Sequence, residues 1–411
     1  MGICSEGFQE GGVMKKKLAF FLGISPNFAF AAGNVAIALN RYCKGTEYDI
    51  VIYHSGVSNR DLEAFSRIPH CILRGFSLDD DFVEFMICSL PEDCRFRTRE
   101  KLMCFAHFEA FALLREYENV IWLDADVLVQ DDLLGLVQFG PLAFTPDGHS
   151  VGEQFFSPPQ CKYDLEREAF RIDMMVLGDS LPYERIYQWC YDEARSFASY
   201  SKNPEQAIIN LCLQEFHLKP AVISEKWQCF SYRPETVSAR CVHFGTDRKV
   251  WNDKVLYVLY PEWYRNHMRW VELGGGVSED YQMEGASPWD VQRMLLREQR
   301  RFFLFHKIPE NSKLIIYGGG GRGHRYVEQI QRIAYYKIVA VLDKDPSNVE
   351  EFTFSVLGAA SFPVLYPEEI AEAGDYDYVV IALKAEEMIR EAEDILLRSG
   401  VPKEKIVWNE G

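Results

Sequence analysis

The chain has 411 residues, long enough for two domains that each bury a core of their own. At 48% apolar and 26% charged it has the composition of an ordinary globular protein, which excludes a disordered or fibrous chain. The net charge of -17 lacks the basic footprint of a general nucleic-acid binder, so no nucleic-acid partner is expected; a local site or a metal can still favour an anionic ligand.

The first element to place is "MKKKLAFFLGISPNFAFAAG", from Met14. Three lysines, an apolar run and an A-F-A triplet imitate a secretory signal. The run stops at Ser25-Pro26-Asn27 after only about seven residues, at the bottom of the range for such a segment. A first buried strand entering a ligand loop explains the same letters. Residues 1–13 read as an appendage, with Met14 as the alternative start. Eleven cysteines, an odd number without a CxxC pair, suit free thiols and hence a cytoplasmic location, with the inner face of the membrane left open. No apolar run approaches the ~20 residues that a membrane span needs.

"KLAFFLGI" and "YDIVIYHSG" read as buried strands around a helical stretch, "GNVAIALNRYC". "REKLMCFAHFEAFALLREY" reads as a helix leading into the strand "NVIWLD". This β-α-β alternation predicts a mainly parallel sheet with helices on both faces, and such sheets bind ligands at the carboxyl ends of their strands. Asp124 and Asp126 sit at such an end. Two aspartates flanking one small residue can aim oxygens at a single Mn²⁺ or Mg²⁺, whose remaining positions phosphate oxygens fill. Taken alone, D-x-D also suits a solvated acidic turn. The apolar strand before it and "VLVQDDL" after it favour a site. Later in the chain, His243, Lys249 and Trp251 offer an imidazole, a cation for phosphate charge and an aromatic wall. Each also has a plainer reading: His243 as a structural histidine, Lys101 as a solvated helix lysine, Gln206 as a surface amide, Asn27 as a turn residue after Pro26.

"SPWDVQRMLLREQRRFFLFHKI" predicts a connecting helix with Ser287 as N-cap and Pro288 at its first position. Arg293, Arg297, Arg300 and Arg301 beside Phe302, Phe303 and Phe305 leave two readings open, packing between domains and peripheral contact with a membrane. A second α/β unit begins near Ser312. "KLIIYGGGGRG" is a strand and a glycine-rich turn, and "YKIVAVLDKD" and "YDYVVIAL" are further strands. Gly318, Gly320 and Gly323 satisfy G-x-G-x-x-G, with Asp343 at the end of the next strand. That is the dinucleotide-binding arrangement, although a docking role suits the same fold.

The first unit resembles the retaining glycosyltransferases of family 8, the glycogenin and lipopolysaccharide-galactosyltransferase group. "YENVIWLDADVLVQDDL" looks like the family's metal-binding segment, and four more segments agree in order across about residues 15–265. "LGISPNF" resembles the first nucleotide loop, with Asn27 matched. "REKLMCF" resembles the helix whose lysine, here Lys101, reaches the nucleotide sugar. "NPEQAIIN" resembles the segment placing a glutamine, here Gln206, near the anomeric carbon. "HFGTDRKVW" resembles the segment that gives His243 as third metal ligand and Lys249 as a diphosphate contact. The chain departs from the family pattern in four places. Ser25 and Pro26 stand in the nucleotide loop, Glu205 and Ala207 replace aspartates, the last segment has its glycine, Gly245, shifted by one and Val250 in place of a proline, and "FRIDMMVLG" puts Arg171 and Asp173 where the sugar is usually touched.

The resemblance implies an A-type nucleotide-diphosphate-sugar glycosyltransferase fold over 14–270, then a linker with the connecting helix over 271–311 and a small Rossmann-like α/β domain over 312–411. It implies a metal-dependent, retaining transfer of a hexose from a nucleotide-diphosphate sugar, with UDP preferred, using Mn²⁺ or Mg²⁺. The acceptor would be a glycan or lipid-linked chain in surface polysaccharide or lipopolysaccharide synthesis. Gln206, Glu205 and Asp173 are the candidate catalytic residues; Asn27, Lys101, Asp124 and Lys249 would hold the donor. Two rivals stand beside it: a NAD-dependent sugar oxidoreductase working through the second unit, and a non-catalytic nucleotide-sugar sensor. A homo-oligomer is left open.

Overall fold

The computed structural model describes residues 15–409 apart from 45–46, 232, 234–235, 237, 246, 284, 293–302, 305–306, 334–335 and 348–361. The expected appendage 1–13, Met14 and, in the connecting helix, Arg293, Arg297, Arg300, Arg301, Phe302 and Phe305 lie outside the described residues. The chain divides into two compact units. One comprises the chain up to Val127 together with Asp132–Ser224 and Trp270–Gly276; the other comprises Leu128–Asp131, Glu225–Arg269 and Val277–Gly411. This division cuts across the expected 14–270 domain, because residues 225–269 fall in the second unit.

In the first unit, the strands are β1 (Lys16–Ile24), β2 (Asp49–His54), β3 (Cys71–Gly75) and β4 (Tyr117–Leu123). They continue, after the short β5 (Val127–Val129) whose Leu128 and Val129 belong to the second unit, with β6 (Leu142–Ser150), β7 (Glu168–Gly178) and β8 (Ala221–Val222). Among the described residues, seven of these form one sheet in the order β3-β2-β1-β4-β7-β6-β8. The β-α-β reading holds from β3 to β4, where all pairs are parallel. Beyond β4 the sheet is mixed, with β7 antiparallel to both β4 and β6 and β6 parallel to β8, so it is mainly parallel as expected. Strand β6 contains Pro146, which has no N–H to give to a ladder, and its register with β7 shifts on either side of that residue.

Phe21, Val51, Trp122 and Met175 of the sheet share one buried cluster with Phe108 and Phe111 of the helix Ala106–Ala112, Ile186 of Tyr183–Phe197 and Leu211 of Pro204–Glu215. The helix expected from "REKLMCFAHFEAFALLREY" is in fact three pieces. A 3₁₀ stretch Lys101–Phe105 precedes α-helix Ala106–Ala112, and a second 3₁₀ stretch, Leu113–Arg115, follows it. Apolar residues three apart suit both helix types, so periodicity alone could not separate them.

In the second unit, β9 (Gln228–Phe230) and β10 (Cys241–His243) form a small sheet with β5 in the order β5-β10-β9. A larger sheet is built from β11 (Lys313–Tyr317), β12 (Lys337–Leu342), β13 (Val364–Leu365), β14 (Tyr378–Ile381) and β15 (Ile406–Trp408). Its order is β13-β12-β11-β14-β15, and every neighbouring pair is parallel. The order reverses direction between β11 and β14, the switch point at which doubly wound sheets bind ligands.

The turn Gly318–Gly323 follows β11 at that point. Gly318 has φ +106°, and a Cβ on Gly323 would stand 1.8 Å from the Gly318 carbonyl oxygen, so a side chain is excluded there. Gly323→Ala is expected to destabilise the second unit by about 1–3 kcal/mol, the usual cost of overpacking. Thermal unfolding would read this as a lowered midpoint, and an unchanged midpoint would refute the close approach.

The beginning and end of the connecting segment are described. Residues 288–292 are helical, and Ser287 caps them by accepting the Asp290 backbone N–H at 3.2 Å, as expected. Phe303 and Leu304 are fully buried in a core cluster with Tyr326 and Ile330. No helix among the described residues is long and apolar enough to cross a membrane, and the ten described cysteines are all free.

Candidate metal and diphosphate site

Strand β4 is buried from Val120 to Leu123 because it lies inside the sheet between β1 and β7. Its last ladder neighbour sets the first acid: the Asp124 backbone N–H donates to the Asp173 carbonyl at 3.1 Å. Ala125, 8% exposed, fills the gap between the two acids, and β5 starts directly after Asp126. In the small sheet β5 is the neighbour of β10, and β10 ends on His243. One oxygen of Asp124, one of Asp126 and one ring nitrogen of His243 all lie within 4.8 Å of one another.

His243 is 7% exposed and stacks on Phe230, its parallel-ladder partner, with ring centroids 5.2 Å apart and 24° between planes. Gly245 is required by this packing, because a Cβ there would come within 2.4 Å of the Phe230 ring and 3.0 Å of the His243 ring. Lys249 lies on the loop that follows. Its ammonium donates to the Phe244 carbonyl, and its backbone N–H donates to Asn252 Oδ1 at 2.7 Å. The ligand set of two carboxylate oxygens and one imidazole nitrogen suits a divalent ion of the hard to borderline kind, Mn²⁺ or Mg²⁺.

The remaining sequence candidates fall into distinct environments. Asn27 is exposed in a 3₁₀ turn, Pro26–Phe28, and Lys101 is exposed at the head of its 3₁₀ stretch. Asp173 is 5% exposed and lies 3.5 Å from Arg171 Nε, so its charge is balanced within β7. Gln206 is half-buried in the first turn of the helix Pro204–Glu215, and its amide nitrogen donates to Asp147 Oδ2 at 2.9 Å. Gln154 donates to the same oxygen at 2.9 Å. Burial pushes the Asp147 carboxyl above its ordinary range, against the lowering charges of His149 and Arg171. Beside Gln206, Glu205 is 7% exposed, and burial raises its carboxyl against the opposing charge of His107. In the second unit Asp343 is not held out from the glycine turn. Its Oδ2 accepts the Gly319 backbone N–H at 2.6 Å and its Oδ1 that of Asp345 at 3.0 Å. Open space surrounds the α-carbon of Gly320 where a Cβ would stand.

Two residues of this environment escape a reading by motif. His107 lies with Nε2 3.4 Å from Asp124 Oδ1 and its ring 3.9 Å from that of Trp122. Burial opposes its charge, yet the Asp124 carboxylate outweighs that and holds the imidazole above its ordinary value. Asp147 holds the Gln206 amide. A lone histidine in an apolar helix and an acid after a proline offer no spacing that would have singled them out.

Residues 19–147 match the family model described as glycosyl transferase family 8. That span contains Asn27, Lys101, Asp124 and Asp126, and it ends before Glu205, Gln206, His243 and Lys249. No curated protein sequence matches the chain. Among solved structures, the chain is similar to the galactosyltransferase LgtC in complex with donor and acceptor sugar analogues. Identity there is 14%, coverage 64% of this chain and 99% of that one, and the TM-score 0.47. A similarity to the bifunctional glycosyltransferase WbbM has 14% identity, covers 68% of this chain and has a TM-score of 0.44; this chain spans about half of that one, 51%. The glycosyltransferase GlyE of Streptococcus pneumoniae TIGR4 is similar over 94% of this chain and 90% of its own, at 12% identity and a TM-score of 0.41. All three likenesses are distant.

Proposed function

We propose that this chain, with the family 8 match over residues 19–147, is a metal-dependent retaining glycosyltransferase that moves a hexose from a nucleotide-diphosphate sugar, UDP-linked by preference, to a glycan acceptor. The observation that carries the reading is the convergence of Asp124, Asp126 and His243 within 4.8 Å. These three side chains would hold the ion, Mn²⁺ by preference. When bound, the ion would supply Lewis-acid stabilisation of charge on the leaving diphosphate.

The protein's own groups would do the rest. Lys249 adds a fixed cation on the loop after His243, to be shared with phosphate oxygens. Gln206, its amide nitrogen engaged by Asp147, keeps its carbonyl oxygen as the end that can face a developing oxocarbenium centre. Glu205 is too buried to be the first choice for that role. Asp173, paired with Arg171, would shape the sugar end of the site, and Asn27 and Lys101 would meet the nucleotide. The acceptor class, surface polysaccharide or lipopolysaccharide, extends the same reading.

A donor screen with Mn²⁺ that follows released nucleoside diphosphate tests the proposal. Release with one or more UDP-sugars, lost on chelation and restored by Mn²⁺, is expected. Binding of UDP-sugar with no release under any acceptor condition would favour a sensor instead. A second reading attaches to the turn Gly318–Gly323, whose crowded Gly323 and Asp343 clasp favour nucleotide docking on the second unit. An arm of the same screen with NAD and a hydride-transfer readout separates it from transferase chemistry.

A further inference from the structure

We infer that Trp122 and His107 are positioning residues that fix which oxygen of Asp124 is offered to the ion. The inference rests on the metal-site reading above and adds to it two residues that would never touch ion or donor. A carboxylate ligand is useful only when its orientation is set, because a free terminal rotation spreads its oxygens over a broad range. Here one oxygen is already claimed. Trp122 Nε1–H donates to Asp124 Oδ1 at 2.8 Å, and His107 Nε2 stands 3.4 Å from the same atom.

Both partners are held by packing. The indole is 2% exposed and meets the Phe21 ring edge-on at 5.0 Å and 83°. The imidazole leans on the indole, with centroids 3.9 Å apart, and its other nitrogen reaches the Cys104 carbonyl at 2.6 Å. A carbonyl only accepts, so Nδ1 carries the hydrogen of that bond, and Nε2 meets Asp124 Oδ1 as a 3.4 Å approach outside hydrogen-bond geometry. Strand β4 thus holds one ligand oxygen through the Trp122 hydrogen bond, and the helix Ala106–Ala112 supports it through His107, which packs on the indole and faces the same oxygen. That leaves the second oxygen of Asp124 for the ion that Asp126 and His243 would share. Partners that orient metal ligands in this way contribute about 10- to 100-fold to metal affinity.

The test uses the full chain and Mn²⁺ alone, with free Mn²⁺ followed by electron paramagnetic resonance. Trp122→Phe keeps an aromatic ring in the core and removes the donor together with one ring of the indole. His107→Leu removes the polar edge that faces Asp124, and His107→Gln keeps a polar group near the position of Nε2. Mn²⁺ affinity is expected to fall about 10-fold or more in Trp122→Phe and in His107→Leu, and to recover in part in His107→Gln. Asp124→Asn serves as the reference and is expected to lose Mn²⁺ binding. Wild-type Mn²⁺ affinity in Trp122→Phe, with Asp124→Asn unable to bind, would overturn the positioning role and leave the metal site standing. Wild-type affinity in Asp124→Asn would overturn the metal site itself. A merely structural role for the two rings would lower the unfolding midpoint without moving the affinity of the protein that remains folded. That outcome also counts against the inference.

Discussion

Asp124→Asn and Asp126→Asn are each expected to cut metal-dependent transfer by at least about 10²-fold, the scale on which single electrostatic stabilisers act. The substitution preserves shape and removes one negative charge and the stronger ligand oxygen. Its effect on the stability of the empty protein should be small. Two carboxylates that bring oxygens within 4.8 Å of each other repel when no cation lies between them, and relief of that repulsion offsets what Asp124 loses toward Trp122 and His107. Lower activity together with an unchanged or raised thermal midpoint is therefore the expected signature, read by nucleoside diphosphate release and by unfolding in the presence of a chelator. A destabilised protein that retained wild-type turnover would contradict both halves of the argument.

Gln206→Ala is expected to lower kcat by about 10²- to 10³-fold while leaving KM for the donor close to wild type, because the carbonyl is assigned to the transition state rather than to ground-state binding. Asp147→Asn should show a smaller loss of the same kind, since the Gln206 amide donates to the Asp147 carboxylate at 2.9 Å. Steady-state kinetics with the best donor checks both. A rise in KM with kcat unchanged would make Gln206 a binding contact, and the oxocarbenium role would pass to another group.

The acid pair was legible because a buried apolar strand that runs straight into two carboxylates favours a site over a solvated turn, and β4 does end at Leu123 with Asp124 next. The glycine turn was legible for a similar reason: Gly323 cannot carry a Cβ, and Asp343 closes onto the turn. Strand partners were not. The continuous burial of β6 over Leu142–Thr145 and of β7 over Ile172–Gly178 marks strands but not their direction, and the antiparallel pairing follows from tertiary packing. The division at Ser224–Glu225 was not legible, because a short polar run such as Ser224-Glu225-Lys226 is ordinary loop sequence. His107 was hidden for a different reason. Its contact with Asp124 spans two elements, and no sequence spacing encodes it.

The central claim is that Asp124, Asp126 and His243 hold one divalent ion against a diphosphate. Crystals grown with Mn²⁺ and UDP, with data collected at the manganese absorption edge, test it most directly. A single anomalous peak bonded to all three side chains and to phosphate oxygens is the expected result. Manganese bound elsewhere, or bound without His243, would contradict it.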